Sequence, residues 1–145
     1  MSDAGSLVEE RPRILVLDAD IVVRHVLAEY LRTCGYQVAE AASADEALDL
    51  LADARPPFDV MLADFAVPGR LADFAVPGRL AGFALAAFVR EHHPAVEVIL
   101  AGTPAKAANE AAELCDEGPH LARPYEPQSV IERIKQLMAA RARNR

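Results

Sequence analysis

Two carboxylates and a guanidinium follow short apolar runs of the sequence. Asp18 comes directly after the apolar run 14–17, and Asp64 comes directly after the stretch 58–63, whose last four residues are apolar. Arg123 follows a shorter run near the carboxyl end of the chain. Carboxylates are nucleophiles and ligands of hard cations such as Mg²⁺, whereas a guanidinium binds anionic oxygens. These residue types suit chemistry on an anionic group, provided that the fold brings them together.

The apolar runs alternate with amphipathic stretches, a pattern that predicts a parallel sheet covered by helices on both faces. The predicted strands are 14–17, 36–41, 58–63, 96–100 and 120–122. Four predicted helices are 20–34, 81–92, 104–116 and 127–141. A fifth helix is predicted to begin at the capping box 43–46. In such folds ligands bind beyond the carboxyl ends of the strands. The predicted site therefore lies at this edge of the sheet, which Asp18, Asp64, Ala101 and Arg123 all border.

Composition limits the class of protein. The chain has 145 residues, of which 52% are hydrophobic, enough for one domain with a sizeable core. Its net charge of −7 argues against general nucleic-acid binding. Because the sequence has neither a long apolar run nor an apolar stretch near the N-terminus, we expect no membrane span and a cytoplasmic location. Cys34 and Cys115 are expected to be inert thiols.

A nine-residue stretch occurs twice in tandem, since 62–70 and 71–79 both read LADFAVPGR. Pro68 and Gly69 would break a strand before Asp73, so the first copy is assigned to the third strand and the second to the following loop. Asp73 is therefore not expected to replace Asp64. We expect this long apolar loop to pack on its own domain, or on a second subunit as an exchanged arm. A tolerated surface insertion is the alternative.

The chain resembles the receiver domain of bacterial two-component response regulators over about residues 12–141. The resemblance rests on ILVLDAD at 14–20, DVMLADFAVPG at 59–69, VILAG at 98–102 and LARPY at 121–125. It implies an α/β fold, the flavodoxin-like (βα)5 sandwich with a five-stranded parallel sheet of order 2-1-3-4-5. Residues 1–11 would form a disordered or extended tail and 142–145 a basic tail. A signalling module is implied, not an enzyme.

The same resemblance implies a phosphorylation site. In the family, an aspartate at the end of the third strand accepts a phosphoryl group from a phosphohistidine, and Asp64 matches it. Mg²⁺ offsets the charge repulsion there, held by two adjacent acids after the first strand. Asp18 matches the first acid, but Ala19 stands at the second. Mg²⁺ is therefore expected to bind weakly, through Asp18, Asp64 and, to a lesser extent, Asp20, which more naturally caps the following helix.

Other positions depart from the family pattern. Ala101 stands where a hydroxyl holds the phosphoryl group, Arg123 replaces a lysine, and His120 replaces an aromatic switch residue. Two functions stay open. One is a stand-alone receiver, phosphorylated on Asp64 by a sensor histidine kinase or a histidine phosphotransfer protein, that acts by protein contact. The other is a degenerate receiver that serves as a phosphorylation-independent interaction or dimerisation module. Under either, a homodimer through the loop 64–80 or the last helices is possible.

Overall fold

The computed structural model of the protein describes residues 12–66, 70–71, 74–75, 78–118 and 126–144. The strands are β1 (Arg13–Leu17), β2 (Gln37–Ala41), β3 (Val60–Asp64), β4 (Arg70–Leu71), β5 (Phe74–Ala75) and β6 (Glu97–Ala101). The helices are α1 (Ile21–Cys34), α2 (Ala44–Asp53), α3 (Gly78–His92), α4 (Pro104–Glu117) and α5 (Pro127–Arg143). Within this part of the chain, every predicted helix and strand is present. No helix there has the length and apolar character needed to cross a bilayer.

The main sheet is parallel, with the order β2-β1-β3-β6. The described residues thus form four strands of the main sheet and not the expected five, and their order agrees with the first four of the expected order 2-1-3-4-5. The predicted strand 120–122 lies outside the described residues. That strand stays a prediction. Its run is short, and Pro119 and Pro124 flank it, neither of which can donate a ladder hydrogen bond.

The sheet separates two hydrophobic clusters. Because side chains alternate along a strand, Ile14 and Val16 of β1 join one cluster, and Leu15 and Leu17 join the other. The first cluster packs α1, α4 and α5 against the sheet. The second packs α2 and α3 against the opposite face. This burial fixes the strands, and with them the residues at the carboxyl edge.

The second copy of the repeat lies in the connection after β3, as predicted. Its strand β5 pairs with β4 in a short antiparallel hairpin that is separate from the main sheet. β4 contacts α2, so the described part of the insertion packs on its own domain. The last two residues of the repeat, Gly78 and Arg79, begin α3, which therefore starts earlier than predicted.

The expectation of inert thiols is wrong, because Cys34 and Cys115 form a disulfide. They are 81 positions apart in sequence, yet their Cα atoms lie 5.4 Å apart, within the range that a disulfide spans. Both are buried in the cluster that α1 and α4 share. Sequence spacing could not reveal that these two helices cover the same face of the sheet.

The last helix runs antiparallel to α1. In a regular βα unit the helix leaves the carboxyl edge of the sheet, as α1 does after β1. α5 packs against α1 and α4, and Arg141 in its last turn donates hydrogen bonds to Asp20, which lies just before α1. The end of α5 is thus brought to the edge where the candidate site lies.

Candidate functional site

Three acidic residues meet at the carboxyl edge of the sheet. Asp18 follows β1, Asp20 caps α1 and Asp64 ends β3. All three line one cavity of about 190 Å³, whose wall also includes Thr103 and Met138. The structure therefore brings together the three carboxylates that the sequence analysis selected.

The pKa of Asp18 lies well above its ordinary value. Burial raises its pKa to about 6, and the nearby charges of Asp64 and Asp20 add to the increase, while a hydrogen bond from the Asp20 backbone opposes it. That bond joins the Asp20 N–H to Asp18 Oδ1 at 2.8 Å. Arg24 donates to the backbone carbonyl of Asp18 at 3.1 Å and so holds the turn in place. Asp18 therefore stays protonated up to a higher pH than an ordinary aspartate.

The carboxylate of Asp20 both caps α1 and pairs with Arg141. Its Oδ1 accepts the Val22 N–H at 2.9 Å, which confirms the predicted helix cap. Arg141 donates to both carboxylate oxygens, at 3.1 and 2.9 Å. The hydrogen bond from Arg141 is the main reason that the pKa of Asp20 lies below its ordinary value. Nothing in the sequence around position 141 signalled this contact.

Asp64 stands at the last position of β3, opposite Ala101 of β6. The first four residues of the strand are buried, whereas Asp64 itself is half-buried. Its carboxylate therefore reaches the cavity that it shares with Asp18 while its backbone stays anchored in the sheet. This arrangement suits an accessible nucleophile at a fixed position.

Phe65, directly after Asp64, fixes the exit of the chain from the sheet. Its carbonyl accepts the Gly82 N–H at 2.8 Å. A Cβ at Gly82 would lie 2.3 Å from that oxygen, so only glycine allows this approach of α3. The Phe65 ring stacks on Phe83 and lies 3.0 Å from the place of a Cβ on Gly102. Sequence reasoning missed these contacts, because they join the repeat to positions on two other elements.

No hydroxyl side chain follows β6 at the expected position. Ala101 ends the strand, and Gly102 comes next under the ring of Phe65. The first hydroxyl is that of Thr103, which accepts the Lys106 N–H at 3.1 Å and caps α4. The family's hydroxyl contact is thus absent at Ala101, and the nearest substitute is committed to a helix cap.

Three predicted residues cannot be placed. Arg123, expected to contact the phosphoryl group, and His120, at the switch position, lie outside the described residues, as does Asp73 of the second repeat. The pairing of Arg123 with Asp64 stays a prediction.

The carboxylates provide only part of a cation site. Asp18 and Asp64 offer oxygen ligands to one cavity, and Mg²⁺ commonly binds through one or two carboxylates together with water and phosphate oxygens. Both carboxylate oxygens of Asp20 accept hydrogen bonds from Arg141, and Ala19 has no side-chain oxygen to offer. Over the described ranges, no group of three or more acidic, histidine or cysteine side chains could hold a metal ion. The donors therefore fit a cation that also uses ligands from outside the protein.

Comparison with known proteins finds a family model and a curated relative that match this chain. The family model "Response regulator receiver domain" matches residues 14–135. The transcriptional regulatory protein AruR of Pseudomonas aeruginosa is 39% identical over 62 residues, which are 41% of this chain and 25% of AruR. This chain therefore aligns with about a quarter of that curated relative.

Solved structures show the same fold. The chemotaxis response regulator CheY4 of Vibrio cholerae has a TM-score of 0.53 at 22% identity, over 87% of this chain and 98% of that one. The response regulator TrrA of Thermotoga maritima, solved with Mg²⁺-BeF, has a TM-score of 0.51 at 27% identity, over 61% and 67% of the two chains. TrrA was also solved in complex with the histidine kinase ThkA, and that structure has a TM-score of 0.52 at 26% identity, over 63% and 69%. This chain belongs to the response regulator receiver domain family of two-component signalling.

Proposed function

We propose that this receiver is phosphorylated on Asp64 by a sensor histidine kinase or a histidine phosphotransfer protein. The observation that carries the proposal is the position of Asp64, which ends β3 and lines the same cavity as Asp18. The solved complex of TrrA with the kinase ThkA supports a kinase as the partner. We further propose that the receiver acts by contact with other proteins.

The chemistry is a displacement at phosphorus. A carboxylate oxygen of Asp64 forms a bond to the phosphorus of a phosphohistidine, while the P–N bond breaks and its electron pair stays on the imidazole. Mg²⁺, when bound, neutralises charge between the carboxylates and the phosphoryl oxygens. The structure of TrrA with Mg²⁺-BeF supports this ion as the cofactor. Asp18 and Asp64 would hold it, and we propose that it binds weakly because Ala19 lacks a carboxylate.

The missing hydroxyl sets an expectation for the rate. Hydrogen bonds to charged groups contribute about 1.5–3 kcal/mol, and about 1.4 kcal/mol corresponds to a tenfold change. Ala101 alone therefore predicts transfer that is slower by roughly tenfold to 150-fold than with a hydroxyl in place. Arg123 is proposed to hold the phosphoryl oxygens in place of a lysine.

The repeat supplies a matched control for the test. Wild type, Asp64→Asn and Asp73→Asn are incubated with Mg²⁺ and acetyl phosphate or a phosphorylated kinase, and the acyl phosphate is counted by intact mass. We expect one phosphoryl group on wild type and on Asp73→Asn, and none on Asp64→Asn. Loss of the label in Asp73→Asn alone would move the acceptor to the second repeat. No label on any variant, even with the cognate kinase, would favour the phosphorylation-independent module.

A further inference from the structure

The ion pair between α5 and the acidic edge bridges 121 positions of the chain. Arg141 donates from Nη1 to Asp20 Oδ1 at 3.1 Å and from Nη2 to Oδ2 at 2.9 Å. Two parallel bonds from a guanidinium to a carboxylate have a defined geometry and are stronger than a single bond. The contact therefore fixes the end of α5 at a particular place in the site.

For a cation held by Asp18 and Asp64 at this edge, Asp20 is the next available carboxylate ligand. Asp18 and Asp64 line the cavity together with Asp20, and Ala19 contributes no ligand. A divalent cation gains affinity from each added carboxylate, but Arg141 engages both oxygens of Asp20. The same carboxylate cannot serve the guanidinium and the cation in full at the same time.

The end of α5 also covers part of the cavity. Met138 lies one turn before Arg141 on α5 and forms part of the cavity wall with Val23 and Leu27. Movement of this last turn would expose apolar surface beside the three acids. The ion pair between Arg141 and Asp20 thus links the charge of the site to the position of α5.

We propose that Arg141 is a positioning residue of the site that competes with the divalent cation for Asp20. As the described residues stand, no three acidic, histidine or cysteine side chains form a metal site. A cation can therefore take Asp20 as a further ligand only when the guanidinium leaves that carboxylate, and the last turn of α5 then loosens. By thermodynamic linkage, docking of the last turn weakens cation binding to the same extent. The inference rests on the proposed function, since the cation is the one expected to assist Asp64.

Cation affinity tests the competition directly, with Mn²⁺ as the probe and its free ion measured by electron paramagnetic resonance. Arg141→Gln should bind Mn²⁺ about threefold to tenfold more tightly than wild type, since Asp20 becomes available. Arg143→Gln is the matched control, because it removes the same charge from the exposed end of the same helix. Arg141→Lys, which cannot form the bidentate pair, should show a smaller gain. In the Arg141→Gln background, Asp20→Asn should abolish the gain.

Hydrogen exchange provides the second measurement. Saturating Mg²⁺ should speed amide exchange over 138–143 in wild type and leave it unchanged in Arg141→Gln, where that segment is already released. Equal Mn²⁺ affinity in Arg141→Gln and Arg143→Gln would overturn the proposal, as would exchange in wild type that Mg²⁺ does not alter. Failure of Asp64 to accept a phosphoryl group, with the affinity gain intact, would refute the proposed function and leave the competition standing.

Discussion

The disulfide gives the sharpest quantitative prediction. Cys34 and Cys115 are 81 positions apart, so their bond closes a loop that includes more than half of the chain. In the chain-entropy relation, a loop of about 80 residues stabilises the fold by about 4.5 kcal/mol through its effect on the unfolded state. For a chain of this size, about 1 kcal/mol shifts the melting temperature by roughly 2–4 °C. Reduction should therefore lower Tm by about 9–18 °C.

The assay compares thermal and urea unfolding with and without a phosphine reductant. The double variant Cys34→Ala/Cys115→Ala is the control, because it should melt near the reduced wild type and be insensitive to the reductant. Thiols are counted in the denatured, unreduced protein, and we expect none. Two titratable thiols there, or a Tm that reduction leaves unchanged in oxidised protein, would refute the reasoning. Since both cysteines are buried, reduction of the folded protein should also be slow.

Three further predictions concern the site and the repeat. The folded pKa of Asp18, about 6, exceeds its ordinary value of 3.8. The contribution of Asp18 to the free energy of unfolding should therefore rise as pH falls through 6 and level off near 4. Asp18→Asn should consequently stabilise the protein by about 1–2 kcal/mol at pH 7.5, after allowance for solvent exposure, and by much less at pH 4.5, in urea titrations. Gly82→Ala should destabilise it by about 1–3 kcal/mol, because the added Cβ meets the Phe65 backbone; an unchanged urea midpoint would contradict that contact. Deletion of 71–79 should preserve the fold and the phosphoryl labelling of Asp64. If wild type elutes as a dimer in size-exclusion chromatography and the deletion variant also elutes as a dimer, the repeat is excluded as the dimer contact.

Local sequence signals predicted the elements well, for identifiable reasons. The apolar run of β1 is buried on both faces, and Asp20 and Gly35 bound α1 through a side-chain cap and a left-handed backbone. The placement of Asp64 in the sheet followed from Pro68 and Gly69, which cannot form a central strand before the second copy. Each of these inferences used residues that are neighbours in sequence.

The contacts that the sequence did not reveal join residues far apart along the chain. To predict the disulfide, one would have to know that α1 and α4 cover the same face of the sheet. To predict the pairing of Arg141 with Asp20, one would have to know the direction of α5. Neither can be obtained from periodicity, which reports which face of an element is apolar and not what that face meets. The same limit applied to Gly82, where the contact with Phe65 and not a turn explains the glycine.

Ala19 and Arg141 are best understood together. Three carboxylates, those of Asp18, Asp20 and Asp64, give the edge a formal charge of −3, and the guanidinium of Arg141 reduces it to −2. An ionised acid at position 19 would have raised the repulsion that already lifts the pKa of Asp18. With alanine at position 19 and a guanidinium on Asp20, the repulsion among the carboxylates is smaller, so the fold depends less on a bound cation to offset it. Under the proposed function, the cation would then be needed mainly when a phosphoryl group adds its own negative charge. At that stage, the proposed competition for Asp20 would couple the chemistry to α5.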